Sequence, residues 1–261
     1  MRPVKGSENL PYSSRRALVA LKDEFKQRKI GKTGQSFRRL IPLQSPAGAQ
    51  WVESDLEANA VIQIAFVPSF YDLITQPIIE YDLRGKKHVY TPDIACIFHA
   101  YDEPFPGRFV IETKPKEVLE KRGPEFADRF YAAEEMCKQM GAAFRVLHED
   151  HLNTAYLRNA LLLRRDNERD PNFDASDLLI AKFGDRSFSR KDGEDALGEL
   201  LPEQWERLEA MNVLIAWREL GCNLTEDIDD DTEVWFPSDI KGKNWDPFLK
   251  MLQTMDSGVN I

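Results

Sequence analysis

Hydrophobic positions along the chain follow two kinds of pattern, helical spacing at the ends and strand-like runs in the middle. Over residues 14–29, Leu18, Leu21 and Phe25 recur among Arg15, Arg16, Lys22, Lys26, Arg28 and Lys29, which predicts a basic amphipathic helix. Gly31 and Gly34 break it, and residues 37–43, with Pro42, predict a short extended segment suited to an edge. A second helix is predicted to open within residues 51–57 and to carry Leu56, Ala60, Val61, Ile64 and Ala65 until Pro68 stops it. From residue 71 the chain reads as a meander. Strands are predicted over 74–81, 88–98 and 108–114, separated by a turn at 84–87 and a polar loop with Pro104, Pro106 and Gly107. Pro124 precedes a helix predicted over 125–140, with Phe126, Phe130, Ala133 and Met136 or Cys137 on one face. Gly141 caps it, and residues 143–147 form another strand. Helix, three strands, helix, strand implies a mixed sheet flanked by helices, an α/β core, because a helical crossover returns the chain parallel.

The remainder is mainly helical. Helices are predicted over 153–165, 175–183, 192–200 and 202–220, the last carrying Trp205, Leu208, Met211 or Asn212, Ile215 and Trp217. Short extended pieces over 222–224 and 233–236 flank Asp229, Asp230 and Asp231, so helices followed by a hairpin give the outline of a winged helix.

Charge sharpens this division. The net charge is −9, yet residues 1–50 hold 11 Lys and Arg against 3 Asp and Glu, and residues 191–261 hold 6 against 17. A basic amino-terminal arm thus precedes an acidic carboxy-terminal region, the asymmetry of one end that faces a polyanion and another that faces proteins. The expected organisation is a basic helical arm over 1–36, an α/β domain over 37–170 and an acidic domain over 171–261. Composition is that of a soluble globular chain, 42% hydrophobic and 30% charged, with no run of 18 apolar residues and no apolar segment of a signal peptide. A cytoplasmic location and no membrane partner are expected. Cys96, Cys137 and Cys222 are scattered and odd in number, which argues against a disulfide framework or a zinc knuckle and for small buried hydrophobes.

The candidate chemistry lies in the meander. Thr91, Pro92 and Asp93 are followed, after a hairpin-length gap, by Val110, Ile111, Glu112, Thr113, Lys114 and Pro115. In a strand side chains alternate, so Glu112 and Lys114 share one face. Two acids on neighbouring strands beside a lysine suit a hard divalent cation, which prefers carboxylate, carbonyl and water oxygens. Glu57 has two readings. Ser54 and Glu57 fit a capping box, which is the reading the local sequence favours, and a helix just before the sheet can also present a first-turn carboxylate to the metal site. His148, Glu149, Asp150 and His151 have no further ligands at metal spacing, His88 and His99 being the other histidines, and are not assigned a metal.

With Ser54, Asp55, Leu56 and Glu57 opening a helix, Tyr90 to Ile94 in one strand and Val110 to Pro115 in the next, residues 37–150 resemble the PD-(D/E)xK nuclease superfamily. Within it, they resemble more closely the TnsA-type endonuclease subunit of heteromeric transposases. The resemblance implies a restriction-endonuclease-like core and an active-site set of Glu57, Asp93, Glu112 and Lys114. Asp93, Glu112 and the Thr113 carbonyl would hold Mg2+, with Mn2+ as a substitute, and Glu57 would help hold a second ion. Lys114 would position the attacking water and stabilise charge. The resemblance further implies cleavage of double-stranded DNA at transposon ends, on the strand that a partner DDE-type transposase does not transfer, with an AAA+ ATPase as regulator and the nucleoid as working location. A stand-alone nuclease of this fold in defence or repair, and a non-catalytic DNA-end-binding subunit, remain open as alternatives.

Overall fold

The computed structural model describes residues 20–28, 38–83, 85–99, 107–237 and 246–257. They belong to two compact units, one formed by residues 1–153 with 248–261 and the other by 154–247. The division falls at Thr154 rather than at residue 171, and the final helix returns to the first unit. Composition changes after Pro171, but the change of core comes earlier, between Asn153 and Thr154.

In the first unit, α1 (Leu21–Glu24) is a single turn followed by β1 (Lys26–Gln27). The helix predicted over 14–29 is therefore not continuous. Residues 14–19 and 29 lie outside the described residues, and Phe25 turns extended, with φ −123° and ψ 140°. Tertiary pairing overrides helical spacing here. Leu21 N donates to the buried Asp72 carboxylate at 2.8 Å, and β1 pairs antiparallel with Pro77 and Ile78. The short hairpin β2 (Arg39–Ile41) and β3 (Gln50–Val52) then leads into α2 (Asp55–Phe66). Trp51, expected in the opening of that helix, sits in β3.

The meander has a corner that periodicity does not show. The first predicted strand is β4 (Phe70–Thr75) and β5 (Pro77–Leu83), broken at Gln76; the second is β6 (Lys86–Tyr90) and β7 (Ile94–Phe98), broken just before and at Asp93. The two breaks face each other, because Gln76 N donates to Asp93 O at 2.8 Å. On one side of the corner the sheet order is β1-β5-β6; on the other it is β4-β7-β8-β9, with β8 at Arg108–Thr113 and β9 at Ala143–Leu147. β9 runs parallel to β8, as the helical crossover α3 (Lys116–Gln139) requires. Phe109, Val110 and Ile111 are successively buried, so β8 is covered on both faces. The core behind it gathers Ile79, Tyr90, Val110, Phe130, Met136, Phe144 and Val146.

Helix α3 begins nine residues earlier than predicted, since Pro124 lies inside it. A proline removes one helical N–H bond and disturbs the preceding turn, but Pro124 and Glu120 are both exposed and water can serve the freed carbonyl. Helix α4 (Glu149–Leu152) is capped by the two histidines left unassigned above: His148 Nδ1 accepts from Asp150 N, and His151 Nδ1 accepts from His148 N, each at 3.3 Å.

The second unit contains α5 (Ala155–Leu163), α6 (Phe173–Phe183), β10 (Phe188–Ser189), α7 (Arg190–Ala196), α8 (Gln204–Ala216), β11 (Gly221–Cys222) and β12 (Glu233–Trp235). Its antiparallel sheet has the order β10-β12-β11. Helix, strand, two helices and a closing hairpin follow one another around Leu179, Met211, Leu214 and Val234, all buried. Helix α9 (Pro247–Thr254) ends the described chain, and Leu252 O accepts from Arg145 Nε at 2.6 Å. All three cysteines are buried and free. Among the described residues no helix is long and apolar enough to cross a membrane.

Candidate active site

Asp93 lies at the corner, one residue before β7, where no ladder partner completes the pairing with β8. Its side chain fills that role. Thr113 N and Thr113 Oγ1 both donate to Asp93 Oδ2, at 2.7 and 2.9 Å. The register Ile94↔Ile111 brings Glu112 and Lys114 to the same edge, and alternation points them together. Lys114 Nζ lies 2.7 Å from Glu112 Oε1, donates to Thr113 O at 3.0 Å, and stands 3.7 Å from Asp93 Oδ2. Three oxygens that the sequence nominated as metal ligands therefore converge on one cationic nitrogen.

Glu57 is placed differently. Ser54 Oγ accepts from Glu57 N at 3.1 Å and donates to Glu57 Oε1 at 3.1 Å, while Glu53 N donates to Glu57 Oε2 at 3.0 Å. Of its two readings the capping geometry is formed, with the reach-back bond made to Glu53 N. Asp93 and Glu112 are thus a pair: among the described residues no group of three or more His, Cys, Asp or Glu side chains is gathered to hold a metal. Glu57 is nevertheless near enough to feel them. Burial, followed by the Asp93 charge, raises its carboxyl above the ordinary carboxylate range.

Glu112 is 4% exposed, and burial, then the Asp93 carboxylate, raises its carboxyl against the opposing pull of Lys114. Tyr90 OH donates to Glu112 Oε2 at 2.7 Å. Burial and the Glu112 charge hold that phenol protonated well above its usual range, so it acts as a donor only to the carboxylate. From α3, the half-exposed Arg129 lies 3.5 Å from Glu112 Oε1, with its guanidinium 5.1 Å from the Phe126 ring centroid.

Residues 59–149 match the family model described as TnsA-like endonuclease N terminal. The core of the first unit is TnsA-like. The matched span, about a third of the chain, contains Asp93, Glu112, Thr113 and Lys114 and begins two residues after Glu57. It supports an endonuclease of the Tn7-type transposition family. No curated protein matches the chain.

Within this TnsA-like core, sequence reasoning missed Tyr90, Arg129 and Gln76. Tyr90 stood in the quoted motif but reads as an ordinary core aromatic, and Arg129 as a solvated helical charge. Gln76 carried no signal at all. Its role depends on a backbone corner described by one residue with φ +53°.

The raised Glu57 carboxyl makes a pH prediction for protein freed of divalent cations. A carboxyl whose folded pKa exceeds its unfolded value stabilises below the unfolded pKa and loses that contribution as pH rises through the folded one. Glu57→Gln keeps an acceptor for Glu53 N and removes this titration. In urea denaturation across acidic to neutral pH, wild type should lose stability with rising pH more steeply than Glu57→Gln; parallel curves would show that Glu57 does not titrate as described.

Proposed function

We propose that the chain is a metal-dependent DNA endonuclease that cuts the non-transferred strand at transposon ends, working with a DDE-type transposase and an AAA+ ATPase regulator. The observation that carries this reading is the convergence of Asp93 Oδ2, Glu112 Oε1 and Thr113 O on one cationic nitrogen in a TnsA-like core. Carboxylate and carbonyl oxygens in this array suit Mg2+, with Mn2+ as a substitute, and the lysine ammonium is a stand-in for positive charge at that point. A divalent cation held there supplies an acidified water and neutralises charge growing on the phosphoryl oxygens.

The chain's own residues do the rest. Thr113 fixes the Asp93 carboxylate through two hydrogen bonds, and Tyr90 fixes that of Glu112, so neither needs to reorganise when substrate arrives. Lys114 orients the attacking water and faces the developing negative charge, as a compact ammonium on a flexible stem can. Glu57 adds negative charge behind Asp93 and assists a second ion. Buried carboxylates without a countercharge would repel a DNA phosphate, so cleavage on this reading depends on the cation.

The charge asymmetry supports a division of labour. The basic amino-terminal arm makes salt-sensitive phosphate contacts. The acidic second unit, with its winged-helix-like connectivity, binds the protein partners, and recognition of end sequence lies mostly outside this chain. Mapping the cut strand on end-bearing duplex with all three proteins tests the assignment: breaks on the non-transferred strand are expected, and breaks on the transferred strand from this chain contradict it. Charge reversal at Arg15, Arg16, Lys26 and Lys29 should weaken duplex binding more at low than at high salt; equal binding at both removes the arm from the DNA contact.

A further inference from the structure

The basic arm and the candidate active site are joined at Gln76. This residue is 5% exposed and has φ +53°, a conformation that glycine adopts freely and side-chain-bearing residues seldom do. Such a conformation persists at a non-glycine residue where the surrounding contacts over-determine it. Its Nε2 faces Asp93 Oδ1 at 3.5 Å, and its N donates to Asp93 O at 2.8 Å. On the other side its Oε1 accepts from Arg28 Nη2 at 2.8 Å, and its O accepts from Arg28 N at 2.9 Å. Arg28 directly follows β1, so the arm ends its sheet pairing on the residue that touches Asp93.

Arg28 Nη2 has a second partner, the Glu53 carboxylate, whose own backbone N–H bonds Glu57. The Arg28 side chain is 46% exposed and that of Glu53 27%. A solvent-screened ion pair of this kind is weak, whereas a guanidinium binds a phosphodiester with charge-assisted, forked geometry. We propose that Gln76 is a positioning residue for Asp93 and that Arg28 is the DNA contact that it is coupled to: a backbone phosphate of the substrate takes the place of Glu53 on Arg28, while Arg28 stays anchored to Gln76. Substrate arriving at the arm then braces the carboxylate that holds the cation. The inference rests on the nuclease reading of Asp93.

The test uses the full chain and two readouts that do not require cleavage. Gln76→Gly relieves the backbone and deletes the side chain, so it should melt no lower than wild type while binding Mn2+ about 10- to 100-fold more weakly by calorimetry. Arg28→Ala should weaken duplex DNA binding and reduce the slope of log K against log salt by about 1, and Arg28→Lys should restore the slope. Wild-type Mn2+ affinity in Gln76→Gly, or an unchanged salt slope in Arg28→Ala, overturns the inference. Equal Mn2+ binding by wild type and Asp93→Asn would instead overturn the assignment of Asp93 on which it rests.

Discussion

Asp93→Asn will lower strand cleavage by about 10²–10³-fold or more while the protein stays folded, the size of loss seen when one preorganised electrostatic group is removed from a reacting centre. The asparagine oxygen can still accept from Thr113 N and Thr113 Oγ1, so the corner between the two sheets keeps its closing bonds. What disappears is the charge. Asp93→Ala should lose cleavage to the same extent and in addition be less stable by about 1–3 kcal/mol, because the buried Thr113 N–H is left without its acceptor. Cleavage rates in Mg2+ and denaturation curves for the two variants separate the effects. Near-wild-type cleavage in either would remove Asp93 from the chemistry.

Phe130→Ala should cost about 3–5 kcal/mol, a large share of the stability of an ordinary domain. Phe130 is 1% exposed and lies 5.5 Å from the Phe126 ring and 5.7 Å from that of Phe144. Phe144 in turn packs edge-on to Tyr90 at 6.4 Å, and Tyr90 holds Glu112. The cavity therefore opens behind the phenol that orients a candidate ligand. Urea unfolding followed by circular dichroism measures the loss, and a change under about 1 kcal/mol would mean that the site collapses around the missing ring.

Much of this was legible in the chain because burial imposes period. β9 over Ala143–Leu147 has the bounds that its apolar run predicts, and the apolar runs beside Asp93 and Glu112 form neighbouring strands of one sheet, with Glu112 inside β8 and Asp93 just ahead of β7 rather than within it. Alternation along β8 put Glu112 and Lys114 together, and they are ion-paired at 2.7 Å. Failures came where a single backbone torsion or a distant partner decides. Gln76 looks like any polar strand residue, yet its φ divides one predicted hairpin between two sheets. Leu21 and Phe25 have helical spacing, but the Asp72 carboxylate and the edge of β5 draw the chain into a turn and a strand. Pro124 looked like a helix start because its position on the exposed side of α3, where water relieves the lost bond, is a tertiary fact. Glu57 had two readings from sequence, and the structure forms the cap.

The measurement that bears most directly on the centre is strand scission by the wild-type chain, assembled with transposase and ATPase on duplex carrying transposon ends, in Mg2+ and in EDTA. Cuts in Mg2+ that vanish in EDTA, and that Lys114→Ala no longer makes, are the predicted result. Cleavage that persists in EDTA, or that Lys114→Ala performs at the wild-type rate, would contradict a cation-dependent centre built from Asp93, Glu112 and Lys114.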